Sequence, residues 1–238
     1  MVGIFPRFIS IAAMESVLAI ETSVPQASIA LWGGDQWLYD KTFTSDRNHN
    51  SMLFEPLADA LGCLQGKPLS AIVVGTGPGS YSGTRIGIAA AQGVAIARNC
   101  MVAGLGSLAA TPVARTRAPA MAVGDARRGL YFICPITSTG EAAQPELMDE
   151  QGLRNRLEKE PQCNLFTLDD PEKLASACPQ GQPLIPTTPE ARLLVEVWLG
   201  LDHARRMELQ AMPLAPSYLR APFTSRAKPG HPLIRTEK

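Results

Sequence analysis

Two carboxylates stand at matching places in the chain, Glu21 behind the apolar run SVLAI and Asp125 behind the run Ala120–Val123. At the mouths of two corresponding hairpins, such a pair is where a two-lobed phosphotransferase would hold a metal-nucleotide complex. Against that use, Glu21 is followed by Thr22-Ser23-Val24-Pro25, and the proline stiffens the turn and removes an amide that phosphate would need. Acidic residues that merely cap turns account for the pair equally well.

A second candidate is the run GTGPGSYSGTR, Gly75 to Arg85, placed between a strand-like and a helix-like stretch. Free amides and the positive end of a helix dipole there would suit an anion. The wording has neither the Lys-Ser/Thr ending of a P-loop nor GxGxxG spacing. Gly75, Gly77, Pro78, Gly79 and Ser80 therefore stand either as a structural turn or as a weak nucleotide contact. Ser80 and Ser82 occupy the place of a nucleophile elbow, but GPGSYSG contains no GxSxG and no histidine is marked as a base. The histidines His49, His203 and His231 are far apart, which excludes HExxH and any other two-histidine helix site, so no metal ligands are assigned. Asp46, Arg47 and His49 cluster before a helix, where a polar loop or cap explains them.

The elements around these residues follow from periodicity. Ser16–Ile20, Ala27–Trp32 and Trp37–Phe43 read as three antiparallel strands joined by turns at 21–25 and 33–35. Leu53, Leu57, Ala60, Leu61 and Leu64 then recur at helical spacing, with Pro56 tolerable only near the first turn of that helix. The β-branched run Ala71–Val74 predicts a central strand. From Thr84 to Arg98 the residues are small or good helix formers, so this helix is apolar almost all round. Gly87, Ala91 and Ala95 form one row of small side chains and Ala89, Gly93 and Ala97 another; one row can face the sheet and the other needs a second helix, from this chain or a partner. A strand Met101–Leu105 and a helix from Leu108 complete the unit β-β-β-α-β-α. The pattern then returns, with Ala120–Val123 and Leu130–Ile136 as a second hairpin, a helix near Gly152–Lys159 and a strand Asn164–Leu168. Thr187 with Glu190 fits a capping box opening a long final helix whose apolar face is Leu194, Val197, Trp198 and Leu201. Past Met212 the chain is expected to run extended and docked, and beyond Arg220 it is basic and punctuated by Pro and Gly.

With 238 residues the chain can bury one substantial core or two small ones, and 22 Lys+Arg against 22 Asp+Glu argue against holding nucleic acid by bulk charge. Five scattered cysteines, with no CxxC, suggest reduced thiols and a cytoplasmic protein. The apolar opening MVGIFPRFISIAA is broken by Pro6 and Arg7 and has no basic residue ahead of it, so residues 1–13 are expected to be an extension and not a secretion signal.

The stretches AIETSVPQASIALW, RNHNSMLFEPLADAL, GTGPGSYSGTRIGIAAAQGVA, GDARRGLYF and PSYLR together resemble the TsaB (YeaZ) family of bacterial tRNA threonylcarbamoyladenosine biosynthesis proteins. The resemblance runs from about Met14 to Arg220. It implies an α/β actin/Hsp70-like (ASKHA) fold of two duplicated lobes with mixed sheets, divided as 1–13 extension, 14–112 first lobe, 113–220 second lobe and 221–238 basic tail. It also implies a non-catalytic scaffold and activator that works with TsaD, TsaE and TsaC to modify the adenosine next to the anticodon of ANN-decoding tRNAs. In that reading the chain pairs with TsaD through first-lobe helices, for which Met52, Pro56, Gly87, Ala91 and Ala95 are the candidate residues, and the isolated chain can self-associate. ATP is used by the complex and not by this chain alone, Glu21 and Asp125 mark a degenerate nucleotide site, and tRNA is met through the complex. TsaD carries two histidines four apart on a helix; here His49 is followed by Leu53 four positions on, so metal chemistry does not carry over. Some relatives have been labelled glycoproteases, a label that the missing histidine pair speaks against. The reading from another class is a stand-alone ATP-dependent phosphotransferase of the same fold.

Overall fold

The computed structural model describes residues 15–44, 49–116, 119–179 and 181–219, with backbone alone for 49–51. The extension expected over 1–13, the tail over 221–238, and Asp46 and Arg47 lie outside the described residues. The first sheet is built around β1 (Ser16–Glu21), every residue of which is buried. β1 turns into β2 (Gln26–Gly33), which turns into β3 (Gln36–Thr44), giving an antiparallel meander. After α1 (His49–Gly62) the chain returns as β4 (Ala71–Gly75), parallel to β1, and after α2 (Tyr81–Arg98) as β5 (Met101–Leu105), parallel to β4. The order is β3-β2-β1-β4-β5. β4, wholly buried and rich in β-branched residues, is the interior parallel strand that such a run suits.

The second sheet repeats the wiring. β6 (Ala120–Asp125) and β7 (Tyr131–Pro135) form the hairpin, β8 (Glu146–Met148) extends it, and β9 (Asn164–Thr167) and β10 (Leu184–Pro186) add in parallel on the other side of β6. Its order, β8-β7-β6-β9-β10, matches the first sheet strand for strand, including which pairs are parallel. α3 (Glu150–Leu157), capped by Asp149 accepting from Gly152 N at 2.8 Å, occupies the place of α1. Two mixed sheets related by duplication make this an actin/Hsp70-like α/β fold.

One face of the first sheet is covered by α1 and α2, through Leu53, Leu57, Ile88 and Ala91 against Leu18, Ile20, Ile29 and Ile72. The other face is covered by α4 (Ala191–Gly200) and α5 (His203–Ala211), with Trp198, Leu194 and Val195 packed on Val17, Ala30 and Val73. Conversely Leu108, in a 3-10 turn at Ser107–Ala110, joins the core of the second sheet with Ala122, Phe132 and Phe166. The covers are therefore crossed: the segment following each sheet reaches over to the other. Residues 191–211, grouped with the second lobe in the sequence-based division at 113–220, pack on the first sheet, where Leu194, Val197 and Trp198 bury their apolar face against Val17, Ala30 and Val73.

Four helix expectations also change. The long final helix is two helices, broken at Leu201 where Asp202 begins a new one by accepting from Arg205 N at 2.7 Å. The Thr187/Glu190 capping box does not form. The amide of Ala191 instead donates to Ser28 Oγ at 2.8 Å, a cap supplied by β2. The helix expected from Leu108 is only the 3-10 turn. Pro56 lies in the middle of α1, well past the first turn, and its missing amide leaves the carbonyl of Met52 without an intrahelical bond.

Candidate functional site

The turn after β1 and the glycine run after β4 are fitted to each other. Ser23 N donates to Glu21 Oε1 at 2.7 Å, and Ser80 N donates to the Ser23 carbonyl at 2.6 Å. Thr22 Oγ1 donates to the Gly83 carbonyl at 2.8 Å. Four glycines spaced four apart line this contact. A Cβ on Gly75 would strike Glu21 and Ser107, on Gly79 Ser23, and on Gly83 and Gly87 Thr22. Close backbone approach is thus what the glycines provide. Gly77, with φ of +90°, also needs to be glycine for its conformation, and its amide donates to Ser107 Oγ at 3.0 Å. Ser80 caps α2 through Oγ, which accepts from Gly83 N at 3.2 Å. The amides of Gly77, Ser80, Gly83 and Thr84 are in this way all bonded within the chain.

Glu21 is fully buried, and burial raises its carboxyl pKa against the opposing pull of its hydrogen bonds from Ser23. Its Oε2 makes no hydrogen bond that satisfies geometry, although the Ser107 hydroxyl is close enough to favour the carboxylate slightly. The second-lobe counterpart repeats the local turn: Asp125 Oδ1 accepts from Arg127 N at 2.6 Å, two residues on, as Glu21 does from Ser23. The two carboxylates nonetheless differ in setting. Asp125 lines an interlobe cleft of about 420 Å³ with Ser23, Gly79, Ser80, Tyr81 and Thr84, whereas Glu21 does not reach it. As a degenerate nucleotide pair, then, only one member faces the cleft. Asp169, at the end of β9, is the carboxylate that the sequence reading missed: it lines the same cleft and its Oδ2 accepts from Asp125 N at 2.9 Å. By strand register Asp169 stands to Asp125 as Gly75 stands to Glu21, so the two halves differ at this place, a carboxylate in one and a glycine in the other.

Among the described residues, no group of three His, Cys, Asp or Glu side chains is placed to hold a metal ion. All five cysteines are free thiols, and burial pushes that of Cys134 up to about 12. No described helix is long and apolar enough to cross a membrane.

A different surface stands out on α1 and α2. The row Gly87, Ala91 and Ala95 is buried against the first sheet, and Pro56 is buried in α1, so neither is available to a partner; Met52 remains exposed. The outward row is Ala89, Gly93 and Ala97, with Gly93 facing open space. Beside it Ile96 is 83% exposed, and Phe54 of the adjoining α1 is 59% exposed. Exposed apolar side chains on both helices, next to an outward row of small residues on α2, leave apolar surface without a cover among the described residues.

Comparison with known proteins gives three findings. The family model described as TsaD, tRNA N6-adenosine threonylcarbamoyltransferase, matches residues 43–157. The tRNA threonylcarbamoyladenosine biosynthesis protein TsaB of Escherichia coli K12 is 34% identical over 95 residues, 39% of this chain and 40% of that protein. The alignment thus spans well under half of that relative. Two structures from Pseudomonas aeruginosa superpose over 87% of this chain and 100% of their own, one of YeaZ and one of an uncharacterized protein similar to peptidase YEAZ. Their TM-scores are 0.67 and 0.69 at 22% and 23% identity.

Proposed function

We propose that the chain is a TsaB/YeaZ-type protein and takes part in threonylcarbamoyladenosine formation in tRNA as a non-catalytic scaffold and activator. Its direct partner is TsaD, TsaE joins the pair, TsaC is required with them, and tRNA is met through the assembly. ATP is consumed by the assembly and not by this chain. The observation that carries the reading is the outward face of α1 and α2, where Met52, Phe54, Ile96 and the row Ala89, Gly93 and Ala97 lie uncovered. Small side chains let a partner helix approach closely and the larger apolar ones supply the buried area. Supporting it from the other direction, the turn and loop that would hold phosphate are bonded to each other. In the absence of TsaD the same face can pair with a second copy.

The stand-alone phosphotransferase draws on Asp125 and Asp169 at the cleft. One experiment separates the two. The purified chain is assayed for ATP turnover alone, and for threonylcarbamoyl transfer to tRNA with TsaD, TsaE and TsaC, each omitted in turn. The scaffold reading expects no turnover alone and no transfer when this chain is left out. Turnover by the chain alone that is lost in Asp125→Ala would overturn it.

A further inference from the structure

After α5 the backbone runs extended across both lobes. Leu214 packs with the first-lobe cluster that contains Val102, and its Cδ1 would lie 2.9 Å from a Cβ on Gly104. Ser217 N donates to the Thr76 carbonyl at 2.8 Å, within the glycine run. Tyr218 OH accepts from Arg85 Nε at 2.7 Å, and its ring lies 5.7 Å from that of Tyr81. The Arg85 guanidinium sits 4.0 Å from the Tyr81 ring centre and 5.6 Å from that of Tyr218, so it is held by both rings. The next residue, Leu219, joins the second-lobe cluster with Ala122 and Phe132. Within six residues the segment passes from one lobe's core to the other's.

Its position matters because the space between the lobes is divided by it. Ser217 and Tyr218 line both the cleft described above and a second interlobe cavity of about 400 Å³. The lobes are also joined by two chain crossings, from β5 to β6 and from β10 to α4, by the Arg205–Glu141 ion pair at 2.9 Å beside the second cavity, and by Ala142, which packs with clusters of both lobes. Chain crossings leave a hinge about which packed bodies can rotate, and residues 213–219 add an attachment at the cleft itself, from the glycine loop to the second-lobe core.

We propose that residues 213–219 are an interlobe strap that locks the two lobes at one angle and keeps the cleft from opening and closing. The strap's grip is the Ser217 bond to the glycine loop, the Tyr218–Arg85–Tyr81 cluster and the Leu219 anchor. This does not depend on what binds the outer face of α1 and α2.

The test measures the angle. p-Azidophenylalanine is placed at positions 92 and 158, exposed sites on α2 and just beyond α3, and coupled to nitroxides so that the native cysteines stay in place. Pulsed dipolar spectroscopy on the full chain should give one narrow interlobe distance. Tyr218→Ala with Leu219→Ala should broaden it at least about twofold, reflecting release of hinge motion. Ser217→Pro, which removes only the donor to Thr76, should broaden it by a smaller amount, and serves if the double variant does not fold. Tyr218→Phe keeps the ring stack and should stay closer to the parent than the double variant does. A parent distribution already broad, or distributions in both release variants that superimpose on the parent's, would overturn the proposal.

Discussion

Gly93→Arg separates a partner surface from a core position in a single substitution. In the free chain nothing lies within 4 Å of where a Cβ on Gly93 would be, so the arginine side chain meets solvent and no neighbour has to move. Replacing glycine by arginine inside an α-helix gains about 0.5–1 kcal/mol of helix propensity. For a chain of this size that raises the melting temperature by roughly 1–4 °C. In a complex with TsaD across this face, the same side chain holds the helices apart and buries an unpaired charge, which costs about 2–5 kcal/mol. At 1.4 kcal/mol for each factor of ten, the dissociation constant rises roughly 30-fold to 4,000-fold. Calorimetric titration of the variant into TsaD, beside a thermal melt of the variant alone, reads both numbers. A more stable chain that no longer pairs cannot be explained by damage to its fold. Affinity within twofold of the parent, or a melting temperature several degrees lower, would refute the assignment of this face.

Other expectations concern the glycine-lined contact and its neighbours. Gly83→Ala should destabilise the chain by about 1–3 kcal/mol in chemical denaturation, despite its better helix propensity, because the methyl group meets the Thr22 backbone carbonyl. Ser28→Ala should cost about 1 kcal/mol and loosen α4, read as faster hydrogen exchange at Ala191, whose amide it caps. For Glu21, burial raises the folded-state pKa above that of an ordinary glutamate. The stability it contributes is complete below the unfolded pKa and is lost as pH rises through the folded one. Glu21→Gln should therefore equal or exceed the parent in melting temperature at neutral pH, and should show a shallower decline from acid to neutral; a steeper decline would contradict a raised pKa.

The strands of the first hairpin and the central strand were legible because burial and turn chemistry are written locally. SVLAI and AIVV have only one way to hide their side chains, and 21–25 and 33–35 cannot stay extended. The duplication was visible for the same reason, through matching hairpins that each end in a carboxylate. β8 and β10 escaped because three residues carry no period, and both are partly exposed edge strands. The break between α4 and α5 had a signal in Gly200 and Asp202, a helix stop followed by a cap, which a continuous apolar face obscured. The cap of α4 had none, since Ser28 lies 163 residues away in sequence. At the site, the departure of the loop from P-loop wording was readable. Which row of α2 faces inward was not, because it depends on Thr22 arriving against Gly83 and Gly87 from another strand. Glu21 shows the same limit: its type and position suggested a ligand, and only the packing of Gly75 and Ser107 around it places it inside.

The crossed covers impose an order of events on synthesis. β5 is complete at Leu105, yet the side chains that roof the far face of its sheet, Leu194, Val195 and Trp198, come after a further lobe has been translated. At about 5–20 residues per second, this interval lasts on the order of 5–20 s. Throughout it Val17, Ala30 and Val73 have no roof, although the face beneath α1 and α2 can already close. The first half of this chain therefore leaves the ribosome as a half-finished sandwich, one apolar face of its sheet waiting for α4 and α5.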